Sequence, residues 1–203
     1  MNEDEAKAWI ADRYGACAVD RLAIFAGMVE QESERQNLIS AATIPLIWSR
    51  HIVDSAQLLP LASSNFGAWA DIGTGAGFPG LVVGAITENE VVLVEPRKRR
   101  VEFLQSAIDM LQLRNTTVEW TKAERVRMSA GVISARAVSQ IDALLTSTHH
   151  LANRDTVWIL PKGRNSHEEV AQANRSWHGM FHVEQSVTDP TSFIVIASGI
   201  ARR

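Results

Sequence analysis

The chain holds a single cysteine, Cys17, in 203 residues. That excludes an internal disulfide, and one cysteine among scattered histidines gives no zinc-ligand spacing, so no metal is expected. A reducing, cytoplasmic setting fits this usage. Long apolar runs are also missing: nothing approaches membrane-spanning length. The opening MNEDEAKAWI is acidic and lacks a basic stretch followed by an apolar one, so no secretion signal is expected. Positive charge is not in excess either, with 20 Lys and Arg against 23 Asp and Glu and a formal net charge of -3. Any nucleic-acid partner must therefore be met by a local basic patch and not by a global field. What is present is a globular composition, 46% hydrophobic, enough to bury a full core without a partner. Nothing demands more than a monomer.

Through residue 66 the pattern is helical. Leu22, Phe25 and Val29 recur at helical spacing, and a second helix is expected from 44 to 59. Pro60 and the following SSNFG punctuate the chain, after which strands and helices alternate. These features divide the chain into an N-terminal helical extension, 1–66, and a main domain, 67–203. Strands are expected at 68–72, 91–95, 116–120, 132–135 and 156–160, with helices between them. Such alternation implies a Rossmann-like α/β fold, a parallel sheet with helices on both faces. The last two strands, 180–187 and 192–197, are joined by a short TDP turn and can pair antiparallel, giving seven in a mostly parallel sheet. After Glu95, Val101, Leu104, Ile108 and Leu111 form one apolar helical stripe. Arg97, Lys98, Arg99 and Arg100 crowd the start of that helix, where the dipole disfavours cations, so phosphate is one candidate compensator and plain solvation another.

The stretch WADIGTGAGFPGLV, 69–82, joins a strand to alternating glycines and a helix start. Glycines there let the backbone turn sharply and approach a ligand closely. A dinucleotide G-x-G-x-x-G beginning at the first glycine fails, because Phe78 stands where the third glycine belongs. A slipped match at Gly75, Gly77 and Gly80, with Glu95 twenty positions on, keeps an NAD-dependent oxidoreductase as an alternative. The acidic-x-G-x-G-x-G pattern of S-adenosylmethionine-dependent methyltransferases is met position by position by Asp71, Gly73, Gly75 and Gly77. Asp71 can complement the cofactor's ammonium and sulfonium, directly or through water. Glu95, ending the second strand, can accept hydrogen bonds from a ribose diol.

With DIGTGAGFPG come NLIS at 37–40, RHIVDSAQLLP at 50–60, EPRKRRVEFL at 95–104, AERV at 123–126, ISARAV at 133–138 and LPKGR at 160–164. Over nearly its whole length the sequence resembles the small-subunit ribosomal RNA methyltransferase G family, also called glucose-inhibited division protein B. The resemblance implies a class I methyltransferase fold with an N-terminal helical extension. It further implies methyl transfer to N7 of one guanine, expected at position 527, in the 530 loop of 16S ribosomal RNA, as free RNA or within the 30S subunit. By motif position, Gly73 and Phe78 would lie along the cofactor, Ala123 and Glu124 beside its adenine, and Arg136 at the cofactor or reaction-site edge. Lys162, with Gly163 and Arg164, is placed near the RNA. Two departures stand out: Glu32 occupies a position where the family often carries tryptophan, and Pro96 follows Glu95.

Guanine N7 carries an unprotonated lone pair, so no general base is required and the catalytic residues stay unassigned, with Arg136 and Lys162 nearest the reaction. Positioning would carry the rate. The RNA surface would combine Arg97, Lys98, Arg99 and Arg100 with Arg125 and Arg127, and with Arg136, Lys162 and Arg164, on turns or helix starts after strands. An arginine at 136 that only bridges local structure stays open. His51 and Asp54, three apart on one helical face, are expected to anchor the extension to the glycine loop. His149 and His150 end a helix and suggest no metal. Trp48, Trp69, Trp120, Trp158 and Trp177 are expected in the core or at its boundary. An RNA-binding module that keeps the cofactor but has lost transfer is a third function class the sequence leaves open.

Overall fold

The computed structural model describes residues 1–62 and 67–203. The SSNF of the expected boundary, 63–66, lies outside the described residues. Helix α1 (Glu3–Tyr14) starts at a capping box, in which the Asn2 side chain accepts from Glu5 N and the Glu5 carboxylate accepts from Asn2 N. Helix α2 (Ala16–Gln36) ends where Asn37 turns left-handed, at φ 46°. The helix expected over 44–59 is instead broken into a 3-10 segment (Ala41–Leu46) around Pro45, a π-helical segment (Trp48–Val53), a single turn α3 (Asp54–Ala56) and a second 3-10 turn (Leu59–Leu61). Tertiary contact decides this. The Glu3 carboxylate accepts from Trp48 N and Ser49 N, both at 2.9 Å, and from Ser49 Oγ at 2.7 Å, so α1 caps the start of the π-helical segment.

The seven strands are β1 (Trp69–Ile72), β2 (Val91–Val94), β3 (Thr116–Glu119), β4 (Ala130–Ser134), β5 (Ala152–Lys162), β6 (Trp177–Gln185) and β7 (Phe193–Arg202), in the order β3-β2-β1-β4-β5-β7-β6. All pairings among β1 to β5 are parallel, and β7 runs antiparallel between β5 and β6. The expected strands are all present, and β5, β6 and β7 extend beyond their expected starts or ends. The order reverses at β1, whose neighbours are β2 and β4, which opens a crevice at the carboxyl ends of those strands.

Helices α4 (Gly80–Ile86), α5 (Lys98–Met110), α6 (Ile141–Thr148) and α7 (Ser166–Ser176) cover the sheet. One apolar cluster joins the inner face of β1 and β2 to α4, α5 and the N-terminal helices, through Phe25, Leu22, Ile52, Leu81 and Leu104. A second fills the opposite face beneath α6 and α7 around Ile133, Leu145, Trp158 and Trp177. Leu104, Ile108 and Leu111 of the α5 stripe are buried and Val101 is half-buried, as the periodicity requires. Trp48, Trp69, Trp158 and Trp177 are core residues, whereas Trp120 is 60% exposed, correcting its expected placement, and its indole N–H donates to Pro96 O.

The turn between β6 and β7 is strapped to the N-terminal segment. Val187 N donates to Gln57 Oε1 at 2.9 Å, Gln57 Nε2 donates to Ser186 Oγ at 2.9 Å, and Arg50 pairs with Asp189. No helix among the described residues is long and apolar enough to cross a membrane.

Candidate active site

The glycine loop follows β1 directly. Gly73 and Gly75 hold φ of 65° and 62°, in the left-handed region where a Cβ is disfavoured. A Cβ on Gly75 would lie 2.9 Å from an Arg100 guanidinium nitrogen, and one on Gly73 would lie 2.8 Å from a Val138 methyl. Asp71 lies under this loop, fully buried. Its carboxylate accepts from Gly80 N at 2.9 Å, from Ser134 Oγ at 2.6 Å and from the Thr74 hydroxyl, tying β1, β4 and the start of α4 together. Burial outweighs these hydrogen bonds and raises its pKa to about 6. Glu95 is buried at the end of β2, where it accepts from Gly75 N at 3.0 Å and Arg97 N at 2.9 Å. A carboxylate has about four acceptor sites, so further capacity remains.

Above the loop opens a cavity of about 730 Å³, within the ordinary range for small-ligand sites. Gly73, Gly75, Phe78, Glu95, Ala123, Glu124 and Arg136 line it, together with Arg97 and Arg100. Of the cofactor residues expected from sequence, Asp71 lies beneath the loop and Gly77 on the side of it that faces the N-terminal helices, and neither lines the cavity. A Cβ on Gly77 would meet Phe25 at 2.9 Å, which places this glycine against the N-terminal helices. Lys122 and Val138 also line the cavity and carried no sequence signal of their own.

Phe78, 3% exposed, packs on Phe25 and His51 with ring centroids 5.1 and 5.0 Å away. The Arg136 guanidinium lies 5.1 Å from the same ring. Arg136 also donates to His51 Nδ1 at 2.9 Å and pairs with Asp54 at 3.4 Å. Because Nδ1 accepts, the His51 proton sits on Nε2 and is donated to Thr43 Oγ1 at 2.9 Å. Burial, with the charges of Arg136 and Arg50, lowers the His51 pKa to about 3. His51 and Asp54 thus meet through Arg136, and Arg136 both lines the cavity and bridges local structure.

The basic residues separate. Lys98 pairs with Glu102 at 3.7 Å on the exposed face of α5. Arg99 lies in a groove between α2 and α5 that Glu32 also lines. Arg125, Arg127 and Arg164 are exposed and line neither this cavity nor its neighbour. Lys162, at the end of β5, lines a second cleft that meets the first along residues 136–139. Glu169 lies beside it; no periodicity links these two residues, because strand, turn and helix bring them together. His149 and His150 bond backbone carbonyls of Ile200 and Val126 at 3.2 Å each. No group of three or more His, Cys, Asp or Glu among the described residues could hold a metal ion.

A family model described as rRNA small subunit methyltransferase G matches residues 18–191. The ribosomal RNA small subunit methyltransferase G of Novosphingobium aromaticivorans is 44% identical over 207 residues, 99% of this chain and 90% of that protein. That of Erythrobacter litoralis is 42% identical, over 98% of each chain. Among solved structures, a SAM-dependent methyltransferase from Aquifex aeolicus superposes with a TM-score of 0.62 at 13% identity, covering 85% of this chain and 97% of that one. The fold is that of the class I, Rossmann-like methyltransferases.

Proposed function

The chain belongs to the ribosomal RNA small subunit methyltransferase G family, and from that premise we propose that it methylates N7 of one guanine, at position 527, in the 530 loop of 16S ribosomal RNA. The nicotinamide alternative falls with the family, and S-adenosylmethionine is the cofactor.

The residues present fit that cofactor. Gly73 and Gly75 offer a backbone without side chains, and Glu95 keeps acceptor capacity for ribose hydroxyls at the end of β2. Ala123 and Glu124 would flank the adenine, while Asp71 braces the loop from below. When bound, S-adenosylmethionine supplies an electrophilic methyl group on a sulfonium. The chain's task is to hold N7 in line with that methyl and to exclude water, where positioning contributes about 7 to 11 kcal/mol.

The observation that carries the N7 reading is the state of His51. Its Nδ1 lone pair is taken by Arg136 and its Nε2 carries the proton given to Thr43, so no ring nitrogen is free to accept a proton, and burial beside Arg136 and Arg50 makes the ring a weak base, with a pKa near 3. The histidine behind Phe78 is therefore no general base, and N7 is a nucleophile that needs none. Arg97, Arg100, Lys122 and Arg136 give the cavity a cationic lining suited to RNA phosphate, and because one chain supplies all these groups the reading requires no second copy.

The test is transfer from labelled S-adenosylmethionine to small-subunit RNA and to 30S particles lacking the modification, with the product nucleoside identified by mass spectrometry. The expected product is 7-methylguanosine at one position. Cofactor binding without transfer to either substrate would instead leave a non-catalytic RNA module.

A further inference from the structure

Beside the cofactor cavity lies a cleft of about 510 Å³, and the two share the wall formed by residues 136–139. Lys162 and Glu169 line this cleft as an ion pair 2.8 Å apart, with side chains only 11% and 19% exposed. Pro161 and Phe193 give it apolar surface. The pair is incompletely used. The Lys162 ammonium donates to Ser139 O at 2.6 Å and to Glu169 Oε2, leaving one of its three protons. Glu169 Oε2 also accepts from Ile141 N at 3.1 Å, whereas Oε1 has no donor among the described residues. One cationic donor and one anionic acceptor therefore stand side by side next to the place where methyl transfer occurs.

We propose that the Lys162–Glu169 pair reads the Watson–Crick edge of the acceptor base, Lys162 donating to guanine O6 and Glu169 Oε1 accepting from N1–H. This rests on the guanine-N7 reading above. In guanine, O6 lies between N7 and N1, so a base held this way by O6 and N1 turns N7 toward the shared wall. Adenine presents the reverse pattern, an amino donor beside an unprotonated N1, which sets donor against ammonium and lone pair against carboxylate. With both side chains largely buried, such unpaired groups are rejected far more strongly than a missing methylene. The same contact favours the reaction. As the N7–methyl bond forms and the methyl–sulfur bond breaks, positive charge develops on the base and N1–H becomes a stronger donor to Oε1. No proton needs to leave, and the interaction strengthens in the transition state.

The test uses 30S subunits reconstituted with RNA carrying guanine, inosine, 1-methylguanine or adenine at the acceptor position. Wild-type enzyme is expected to methylate guanine and inosine, both of which keep O6 and N1–H, and to be about a hundredfold or more slower on 1-methylguanine and adenine. Glu169→Gln should slow transfer to guanine and narrow the guanine to 1-methylguanine ratio at least tenfold, with S-adenosylhomocysteine binding unchanged by calorimetry. A purely structural role for Glu169 would lower all rates and leave that ratio alone. Wild-type transfer to 1-methylguanine at the guanine rate, or an unchanged ratio in Glu169→Gln, overturns the proposal. Absence of 7-methylguanosine from the wild-type reaction on guanine would instead defeat the N7 reading, and this inference with it.

Discussion

Replacing Arg136 with methionine keeps an apolar stem against Phe78 but removes the guanidinium that joins the N-terminal segment to the cavity wall. The change deletes a 2.9 Å hydrogen bond to His51 Nδ1, a 3.4 Å ion pair with Asp54 and a 3.4 Å contact with Arg50 O. A hydrogen bond involving a charged group contributes about 1.5 to 3 kcal/mol. Breaking a buried ion pair costs about 3 to 5 kcal/mol when the partner is stranded. Asp54 is only half stranded here, because Gln57, Ser186 and Thr188 still donate to its Oδ1 while Oδ2 loses Arg136, and both side chains keep some water, at 19% and 16% exposure. The net loss is therefore about 3 kcal/mol. For a chain of this size that corresponds to a fall in Tm of about 6 to 12 °C. Urea unfolding at pH 7 and a thermal scan measure it directly. A cycle with His51→Leu should show a coupling of about 1 kcal/mol or more, since the two residues share a hydrogen bond. A loss below about 1 kcal/mol, or strict additivity with His51→Leu, would refute Arg136 as the joint between the two parts.

Two buried groups give opposite pH dependences. The Asp71 pKa is raised to about 6 in the folded chain, so its contribution is fully present below the unfolded value near 4 and is lost as pH rises through 6. That amounts to about 3 kcal/mol, which Asp71→Asn should remove. The His51 pKa is lowered to about 3, so its contribution is present above about 6.5 and lost as pH falls toward 3, by roughly 5 kcal/mol, which His51→Gln should abolish. Urea unfolding of wild type and both variants from pH 4 to 8 checks the signs, and parallel curves would contradict them. Gly75→Ala adds a Cβ at φ 62° beside the Arg100 guanidinium; a stability loss of about 1 kcal/mol and at least tenfold weaker S-adenosylhomocysteine binding by calorimetry are expected. Unchanged affinity would place the cofactor elsewhere.

The sheet was readable because parallel strands buried on both faces leave continuous apolar runs such as VVLV at 91–94, and α5 because its stripe is period-true. The helix expected over 44–59 was not, since its form is set by the Glu3 carboxylate, more than forty residues away, and by Pro45. Motif spacing located Asp71 and Glu95 at strand ends but not the direction of their carboxylates, which follows from Thr74, Ser134 and two loop N–H groups. Of the nine basic residues assigned to RNA, four line the two cavities, because position after a strand fixes height on the sheet and not azimuth around it. Glu169 was silent in sequence for the same reason: its partner arrives across a turn.

The strap between the N-terminal segment and the β6–β7 turn sets an order of events during synthesis. Arg136 is held by His51 and Asp54, and Asp54 in turn takes hydroxyls from Ser186 and Thr188. A nascent chain that has released the glycine loop, and even β5, still lacks the residues that fix this corner. Strand β7, which enters between β5 and β6, is translated last of the three. The corner that holds Arg136 against the cavity is therefore completed only once the β6–β7 turn has docked on the N-terminal segment, so the site depends on contacts between parts of the chain more than 130 residues apart.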